Sequence, residues 1–244
     1  MTNQYYRAYE KRYQTVQNAG IEYWGHTPDD TELTDTLTQW VDQHNLKGKR
    51  IIEFFCGEGA AGVILSKLGC IYHGVDISPA ALQTAGRSLV NYPNATVAEL
   101  DVVSGNLPSG HYDAALDVMG IHMLVADPDR VAYLKNAHSC LKVGAPMLFF
   151  RELSAGDAID KHIDTFDEWL TESNADYTTL RKMSVKKTGG GEVEVEIPYV
   201  PGRSKTKEGY RKEISDAGFA INDVIDMPPS NKCPDSVSIY VKKM

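Results

Sequence analysis

Residues 50–89 decide the fold and read RIIEFFCGEGAAGVILSKLGCIYHGVDISPAALQTAGRSL. The apolar run Ile51–Phe55 predicts a parallel strand that is buried on both faces. It breaks at Cys56-Gly57-Glu58-Gly59, where the two glycines lack Cβ atoms, so the chain can turn sharply and a ligand can approach the backbone. Helical composition over Ala60–Leu68 and a second apolar run over Ile71–Val75 follow.

The second run delivers Asp76 at the carboxyl end of its strand. A carboxylate at this position can accept both hydrogen bonds of a ribose diol. Ser78-Pro79 then predicts the start of a helix that reaches Leu89, because proline favours the first helical position. Strand, glycine loop, helix, strand and acidic residue together predict half of a nucleoside-cofactor site.

Downstream, the alternation of strands and helices continues. Three further strands are predicted at Ala95–Leu100, Tyr112–Val118 and Met147–Phe150, with a helix over residues 127–141. This alternation predicts an α/β fold with a doubly wound, mostly parallel sheet. Ligands of such sheets bind at the carboxyl ends of the strands. The chemistry-bearing residues expected at that edge are Glu53, Asp76, Asp101, Asp117, His122 and Glu152.

The segment before the sheet is rich in tyrosine. A helix over residues 4–19 would place Tyr6, Tyr9 and Tyr13 on one face, and a second helix is expected from Thr27–Asp30 to about Gln43. We predict that residues 1–45 form a lid over the active site. The alternative is that they only pack against the sheet.

Residues 153–204 interrupt the alternation. We predict a helix over Ile159–Thr171, a turn at Thr188–Gly191 and, from strict alternation, a half-exposed strand at Glu192–Ile197 that is a hairpin arm or an edge strand. A closing helix (Lys205–Ala217) and two closing strands (Phe219–Met227 and Ser236–Lys242) follow. The chain is thus expected to be one domain. Its parts are the lid at 1–45, a cofactor-binding core at 46–152, a substrate-side insertion at 153–204 and a closing unit at 205–244.

Composition narrows the class of protein. The 244 residues carry a net charge of −8, which disfavours wholesale binding to nucleic acid or to an anionic membrane. The basic stretch 203–212 nevertheless keeps an RNA or protein acceptor open. No apolar run approaches the roughly 20 residues of a membrane span. The four cysteines form no CxxC pair, so we expect reduced thiols, no metal site and a cytoplasmic location.

The loop Glu53–Gly59 resembles the acidic-x-Gly-x-Gly-x-Gly cofactor loop of the class I S-adenosylmethionine-dependent methyltransferases. Glu53, Gly57 and Gly59 match, whereas Phe55 stands where the family has its first glycine. The resemblance covers roughly residues 45–152 and, in order of secondary structure, extends to the C-terminus. It implies a Rossmann-like seven-stranded sheet with an antiparallel terminal strand.

The resemblance also implies roles for individual residues. Asp76 would hold the ribose hydroxyls, Asp101 the adenine amino group, and Val102 would pack on the adenine ring. The complete set of expected cofactor-binding residues is Glu53, Cys56, Gly57, Gly59, Asp76, Ile77, Asp101, Val102 and Asp117. His122 is the candidate general base, and Tyr13, Trp24 and Glu152 are expected on the acceptor side.

A second interpretation fits the same glycines. Gly57-x-Gly59-x-x-Gly62 satisfies the dinucleotide fingerprint, with Asp76 placed 19 residues after Gly57. However, Glu58 and Glu53 would then lie near a pyrophosphate, which they would repel. S-adenosylmethionine has no phosphate and carries a sulfonium and an ammonium group. The acidic loop therefore favours the methyltransferase over a NAD-dependent oxidoreductase.

The resemblance implies methyl transfer from S-adenosylmethionine to a nucleophilic atom, with S-adenosylhomocysteine as product. The tyrosine-rich lid and the acidic chain favour a small-molecule acceptor, aromatic or cationic, and the lid loosely resembles the N-terminal extension of thiopurine methyltransferases. A non-catalytic protein that binds the cofactor and acts as a regulator remains an alternative, because Phe55 departs from the family's loop.

Overall fold

The computed structural model describes residues 4–174, 180–186, 190–230 and 233–244. The strands are β1 (Arg50–Phe54), β2 (Ile71–Asp76), β3 (Ala95–Glu99), β4 (Ala114–Val118), β5 (Pro146–Leu153), β6 (Arg181–Lys186), β7 (Glu192–Ile197), β8 (Phe219–Met227) and β9 (Ser236–Lys243). The helices are α1 (Ala8–Asn18), α2 (Thr31–Gln43), α3 (Ala60–Lys67), α4 (Pro79–Ser88), α5 (Asp127–Cys140), α6 (Phe166–Ser173) and α7 (Lys207–Asp216). Short 3₁₀ turns lie at Tyr5–Arg7 and Ile121–Met123.

Seven strands form one sheet in the order β3-β2-β1-β4-β5-β9-β8. The pairs among β1 to β5 are parallel, whereas β9 runs antiparallel to both of its neighbours. This confirms the predicted doubly wound sheet with an antiparallel terminal strand. The strand order reverses between β1 and β4, so the crevice at their carboxyl ends is the expected ligand position.

The strand β1 is an interior strand of the sheet, and its side chains are buried on both faces. Ile52 and Phe54 join the hydrophobic cluster on one face, and Ile51 joins the cluster on the other, as the two-residue period of a strand requires. The following helices end where the sequence indicates. Gly69 stops α3 with a φ of +85°, and the Ser78 side chain accepts the N–H of Ala81 to cap α4.

The insertion differs in part from its prediction. The helix expected from Ile159 begins only at Phe166, because the residues before it use their backbone groups elsewhere: the N–H of Ile159 donates to Ser204 and the N–H of Ile163 to the Asp127 carboxylate. The alternating strand is confirmed as a hairpin arm, since β7 pairs with β6 in a separate two-stranded sheet. Residues 188 and 189 of the predicted turn lie outside the described residues.

The helix α1 lies between the core and this hairpin. It contacts α4 on one side and β7 on the other. Its Val16, together with Ile21, packs against Val195 and Ile197 of β7. No helix within the described ranges is both long and apolar enough to cross a membrane.

Candidate active site

A pocket lies between the N-terminal helix and the carboxyl edge of the sheet. It holds about 400 Å³ of empty space, with its open mouth included. The residues that line it are Tyr6, Tyr9, Tyr13, Phe55, Asp76, Ile77, Leu100, Asp101, Val102 and Met123. Five residues of the sequence prediction therefore meet in its wall, namely Tyr13, Asp76, Ile77, Asp101 and Val102.

Asp76, at the end of β2, is hydrogen-bonded to the glycine loop that follows β1. Its Oδ2 accepts the N–H of Gly57 at 2.9 Å, and its Oδ1 accepts the N–H of Ser78 at 2.9 Å. Burial raises the pKa of the Asp76 carboxyl, and the two N–H groups oppose that shift. Each carboxylate oxygen can accept about two hydrogen bonds, so acceptor capacity remains for the hydroxyls of a ligand.

The start of the lid is hydrogen-bonded to Asp101. The Gln4 amide donates to Oδ2 at 3.0 Å and the Tyr6 hydroxyl to the same atom at 3.2 Å. Oδ1 of Asp101 accepts the N–H of Val103 at 2.9 Å. The N-terminal segment and the wall predicted to meet an adenine ring are thus directly joined.

Phe55 keeps the backbone conformation that a glycine favours. Its φ is +53°, in the left-handed region, which costs a residue with a Cβ about 1–2 kcal/mol. Its ring meets Tyr133 edge-on, with ring centroids 5.0 Å apart. Gly120 makes room for the ring, since a Cβ there would lie 2.2 Å from Phe55 Cδ2. The loop therefore follows a glycine-like path while an aromatic ring forms part of the pocket wall.

Four of the predicted cofactor residues do not line the pocket but form or support its loop, and these are Glu53, Cys56, Gly57 and Gly59. Glu53 is buried and accepts the Tyr72 hydroxyl at 2.5 Å, and burial raises the pKa of Glu53 to about 8. Cys56 is buried as well, and Gly59 starts α3 with a φ of +81°. Their direct contact with a cofactor stays a prediction.

The glycine pattern has a packing explanation at its last member. A Cβ on Gly62 would lie 2.5 Å from the Tyr72 ring, the same tyrosine that bonds Glu53. Gly62 thus accommodates an aromatic side chain beneath the loop. None of the pocket-lining residues is a lysine, arginine or histidine. The wall offers carboxylates and apolar surface, which disfavours a pyrophosphate and suits a cationic nucleoside.

A second cluster lies beside the pocket, where Glu152 holds the loop after β4. The Oε1 atom accepts the N–H of Gly120 at 3.1 Å, and Oε2 accepts the N–H of His122 at 3.1 Å. Nδ1 of His122 lies 2.8 Å from the same Oε2. Burial lowers the pKa of His122 to about 4 and raises the pKa of Glu152 to about 7. We assign the imidazole as neutral with its proton on Nδ1, because that nitrogen faces the carboxylate.

Asp117 fixes the same loop from below. Its Oδ2 accepts the Tyr133 hydroxyl at 2.6 Å and the N–H of Ile121 at 3.1 Å, whereas Oδ1 is buried without a hydrogen-bond partner. Burial, together with the charge of Glu152, raises the pKa of Asp117 well above its ordinary value. Asp117 is not among the residues that line the pocket.

The lid contacts the loop at two further points. The Tyr13 hydroxyl lies over the loop, since a Cβ on Gly57 would be 3.0 Å from it. The N–H of Trp24 donates to Glu58 at 2.9 Å, although Trp24 does not line the pocket. Sequence reasoning missed the neighbouring Arg12, whose guanidinium stacks on Trp24. The only sequence signal for Arg12 is its place on the same helix, three residues after Tyr9.

Residues 51–144 match the family model of a methyltransferase domain. Among curated proteins, ribosomal protein L11 methyltransferase of Photorhabdus laumondii is 42% identical over 53 residues, which is 21% of this chain and 18% of that protein. Ubiquinone biosynthesis O-methyltransferase of Paraburkholderia phymatum is 26% identical over 120 residues, 48% of this chain and 51% of that protein. The chain thus spans less than a fifth of the first relative and about half of the second.

One solved structure is similar over the whole length. It is 1,6-didemethyltoxoflavin-N1-methyltransferase of Burkholderia thailandensis, with bound 1,6-didemethyltoxoflavin and S-adenosylhomocysteine. The superposition has a TM-score of 0.68 at 13% identity and covers 100% of this chain and 91% of the other. At this identity the match establishes the fold, which is that of the class I methyltransferases.

Proposed function

We propose that this chain, a class I methyltransferase by its fold and by the family match of its core, transfers a methyl group from S-adenosylmethionine to a small acceptor molecule. The observation that carries the proposal is the pocket at the reversal point of the sheet. Its wall combines Asp76 and Asp101 with apolar and tyrosine side chains and no basic residue.

The residues of this pocket fit the proposed cofactor. Asp76 retains acceptor capacity for ribose hydroxyls, and Asp101 lies on a neighbouring strand end for the adenine amino group. Leu100 and Val102 offer apolar surface to the adenine ring. When bound, S-adenosylmethionine supplies a methyl group that its positive sulfur has already activated. The chain therefore contributes mainly binding, alignment and exclusion of water.

The lid has the role of excluding water from the pocket. Tyr9 and Tyr13 are each 8% exposed, and they cover the pocket from the side opposite the sheet. The Tyr9 hydroxyl donates to the carbonyl of Pro201 at 2.6 Å, which ties the lid to the insertion. Lid and insertion together would enclose an acceptor of limited size.

His122 is the proposed general base. Its Nδ1 proton is directed to Glu152, and its Nε2 has no hydrogen-bond partner among the described residues. The proton that leaves an acceptor hydroxyl, amine or thiol would pass to Nε2, while Glu152 keeps the ring in one orientation and stabilises the imidazolium that forms.

Two named relatives support a small acceptor. By their names, the Burkholderia protein is a 1,6-didemethyltoxoflavin-N1-methyltransferase and the Paraburkholderia protein is an O-methyltransferase of ubiquinone biosynthesis. The likeness to the L11 enzyme is confined to 53 residues, so it does not extend to an acceptor site.

Calorimetric titration of the purified protein with S-adenosylmethionine and, separately, with NADH tests the proposal. We expect micromolar binding of S-adenosylmethionine and no binding of NADH. Binding of NADH alone would overturn the proposal in favour of an oxidoreductase. If S-adenosylmethionine binds but no S-adenosylhomocysteine forms with any phenol, amine or thiol acceptor, the non-catalytic alternative would be preferred.

A further inference from the structure

Arg12 lies on the pocket-facing helix α1, and its guanidinium stacks between two aromatic rings. Its Cζ is 5.4 Å from the centroid of Tyr9 and 5.2 Å from the centroid of Trp24. Stacking on ring faces holds a guanidinium in place and leaves the N–H groups at its edge free to meet an acceptor in its plane.

No carboxylate is paired with Arg12 among the described residues, and no hydrogen bond to its side chain is present there. Its Nε is shielded from solvent and has no partner. The other buried arginines differ in this respect. They form ion pairs, which are Arg130 with Glu213, Arg151 with Glu32 and Arg203 with Asp127. A shielded hydrogen-bond donor without an acceptor costs free energy. The unpaired Nε–H of Arg12 therefore indicates that a ligand supplies the missing acceptor.

Arg12 lies close enough to His122, the candidate base, to influence its pKa. Its charge contributes to lowering the pKa of His122, which places the guanidinium within electrostatic range of that imidazole. On the other side lies Arg181 of β6, which stacks on Tyr199 with Cζ 4.1 Å from the ring centroid. Arg12 thus lies within electrostatic range of both His122 and Arg181.

We propose that the acceptor carries a carboxylate group and that Arg12 binds this carboxylate through the edge of its guanidinium. The proposal deepens, and rests on, the methyltransferase function proposed above. A carboxylate presents two oxygens in one plane, which matches the fork of an arginine side chain. Arg12 is thus a specificity-determining residue for the acceptor.

The surrounding charges favour a carboxylate over a phosphate. Glu58 is buried close to Trp24, and Glu152 is buried at His122, so a doubly charged phosphate would meet carboxylates as well as Arg12. A singly charged carboxylate matches the charge of the Arg12 guanidinium. The sequence favoured an aromatic or cationic acceptor, and the stacked arginine changes the second of these expectations to an anionic group.

Binding of inert acids tests this without knowledge of the natural acceptor. The probes are benzoate, phenylacetate and 3-phenylpropionate, each with its neutral amide, titrated by calorimetry into protein that is saturated with S-adenosylhomocysteine. The variants are Arg12→Gln and Arg12→Lys. Lys11→Gln is the matched control, because Lys11 is exposed on the same helix and its loss changes the net charge equally.

We expect at least one acid to bind ten times more tightly than its amide to the wild-type protein. Arg12→Gln should reduce that acid to the level of its amide, Arg12→Lys should retain part of the preference since it keeps the charge but not the fork, and Lys11→Gln should retain all of it. The proposal is overturned if no acid is preferred over its amide, or if the preference survives in Arg12→Gln.

The S-adenosylhomocysteine titration that precedes each experiment separates the two proposals. If wild-type protein does not bind S-adenosylhomocysteine, the methyltransferase function itself fails. If it binds S-adenosylhomocysteine but shows no preference for acids, only the carboxylate site fails. Retention of S-adenosylhomocysteine binding and of the thermal unfolding midpoint in Arg12→Gln shows that a lost acid preference is not a folding defect.

Discussion

The candidate site has two walls, the core wall at the carboxyl edge of the sheet and the lid wall formed by the N-terminal segment. The contacts that build these walls differ greatly in sequence separation. In the core wall, Gly57 and Asp76 are 19 residues apart, and Asp76 and Ser78 are 2 apart. In the lid wall, Tyr9 bonds Pro201 across 192 positions and the Tyr5 hydroxyl accepts the N–H of Val125 across 120. The core wall is therefore specified by a local sequence pattern, whereas the lid wall is specified only by the completed fold.

The walls also differ in charge. The core side concentrates buried carboxyl groups whose pKa values are raised by burial, namely Glu53, Glu58, Asp76, Asp117 and Glu152. The N-terminal side contributes tyrosines and Arg12, which stacks on Tyr9 and Trp24. A cofactor with positive charge suits the first wall and an acceptor with negative charge the second. We therefore call the first wall the proposed cofactor half of the site and the second wall the proposed acceptor half.

The largest effect should come from His122, which lies between the halves. His122→Ala should lower kcat by about 10²–10⁴, because the general base is lost, while the Kd of S-adenosylmethionine changes less than twofold. Steady-state kinetics with an identified acceptor and calorimetry measure the two quantities. His162→Ala is the control, since the His162 side chain is 67% exposed. Wild-type turnover in His122→Ala would remove His122 from proton transfer.

A smaller effect is expected in the cofactor half alone. Asp76→Ala should weaken binding of S-adenosylmethionine by about 1–3 kcal/mol, roughly 5- to 150-fold, through loss of charge-assisted hydrogen bonds. Calorimetry measures the affinity, with Asp76→Asn as the variant that keeps the shape and Asp42→Ala, on the exposed face of α2, as control. An unaltered Kd in Asp76→Ala would contradict the whole assignment of the cofactor half.

The smallest effect concerns Glu58, which joins the halves by accepting the Trp24 N–H. Burial raises the folded-state pKa of Glu58 to about 7, above the ordinary value of 4.5. The folded protein therefore binds more protons than the unfolded chain between these values, and the free energy of unfolding should fall as pH rises from about 4.5 through 7. Glu58→Gln still accepts the N–H but cannot ionise.

Urea unfolding at pH 5 and pH 8 measures this. Relative to wild type, Glu58→Gln should gain up to about 2.5 kcal/mol of stability between the two pH values, since one pKa unit corresponds to about 1.4 kcal/mol and the unfolded carboxyl is already partly ionised at pH 5. A difference between variant and wild type that is independent of pH would show that Glu58 does not change its proton occupancy on folding.

Much of the cofactor half could be predicted from sequence because its signals are local. The apolar run of β1, the glycines after it, the cap at Ser78 and the acid at Asp76 each follow from neighbouring residues. The direction of β9 followed from the family resemblance and is confirmed. The position of the Phe55 ring could not be predicted, because the ring is accommodated by Gly120, which lies 65 residues later.

The acceptor half was less accessible to sequence reasoning. The tyrosine face of α1 was visible as a helical period, but Arg12 carries no pattern of its own, and its stacking depends on where Trp24 arrives in the fold. The prediction of a helix that begins at Ile159 was wrong for the same reason, since the N–H of Ile159 donates to the carbonyl of Ser204, which is remote in sequence. Side chains whose partners are remote in sequence give no local signal.

The reach of the Tyr9 hydroxyl to Pro201 also has a consequence for biosynthesis. The tyrosine helix is synthesised long before Pro201, so this contact can form only after the insertion has been made. Closing a loop of this length costs conformational entropy before the contact forms, so we expect the helix to dock late in folding. Late-docking segments are also the ones that open most readily in the native state. We therefore expect that the N-terminal helix can open while the sheet stays folded, which would give ligands a path to the pocket.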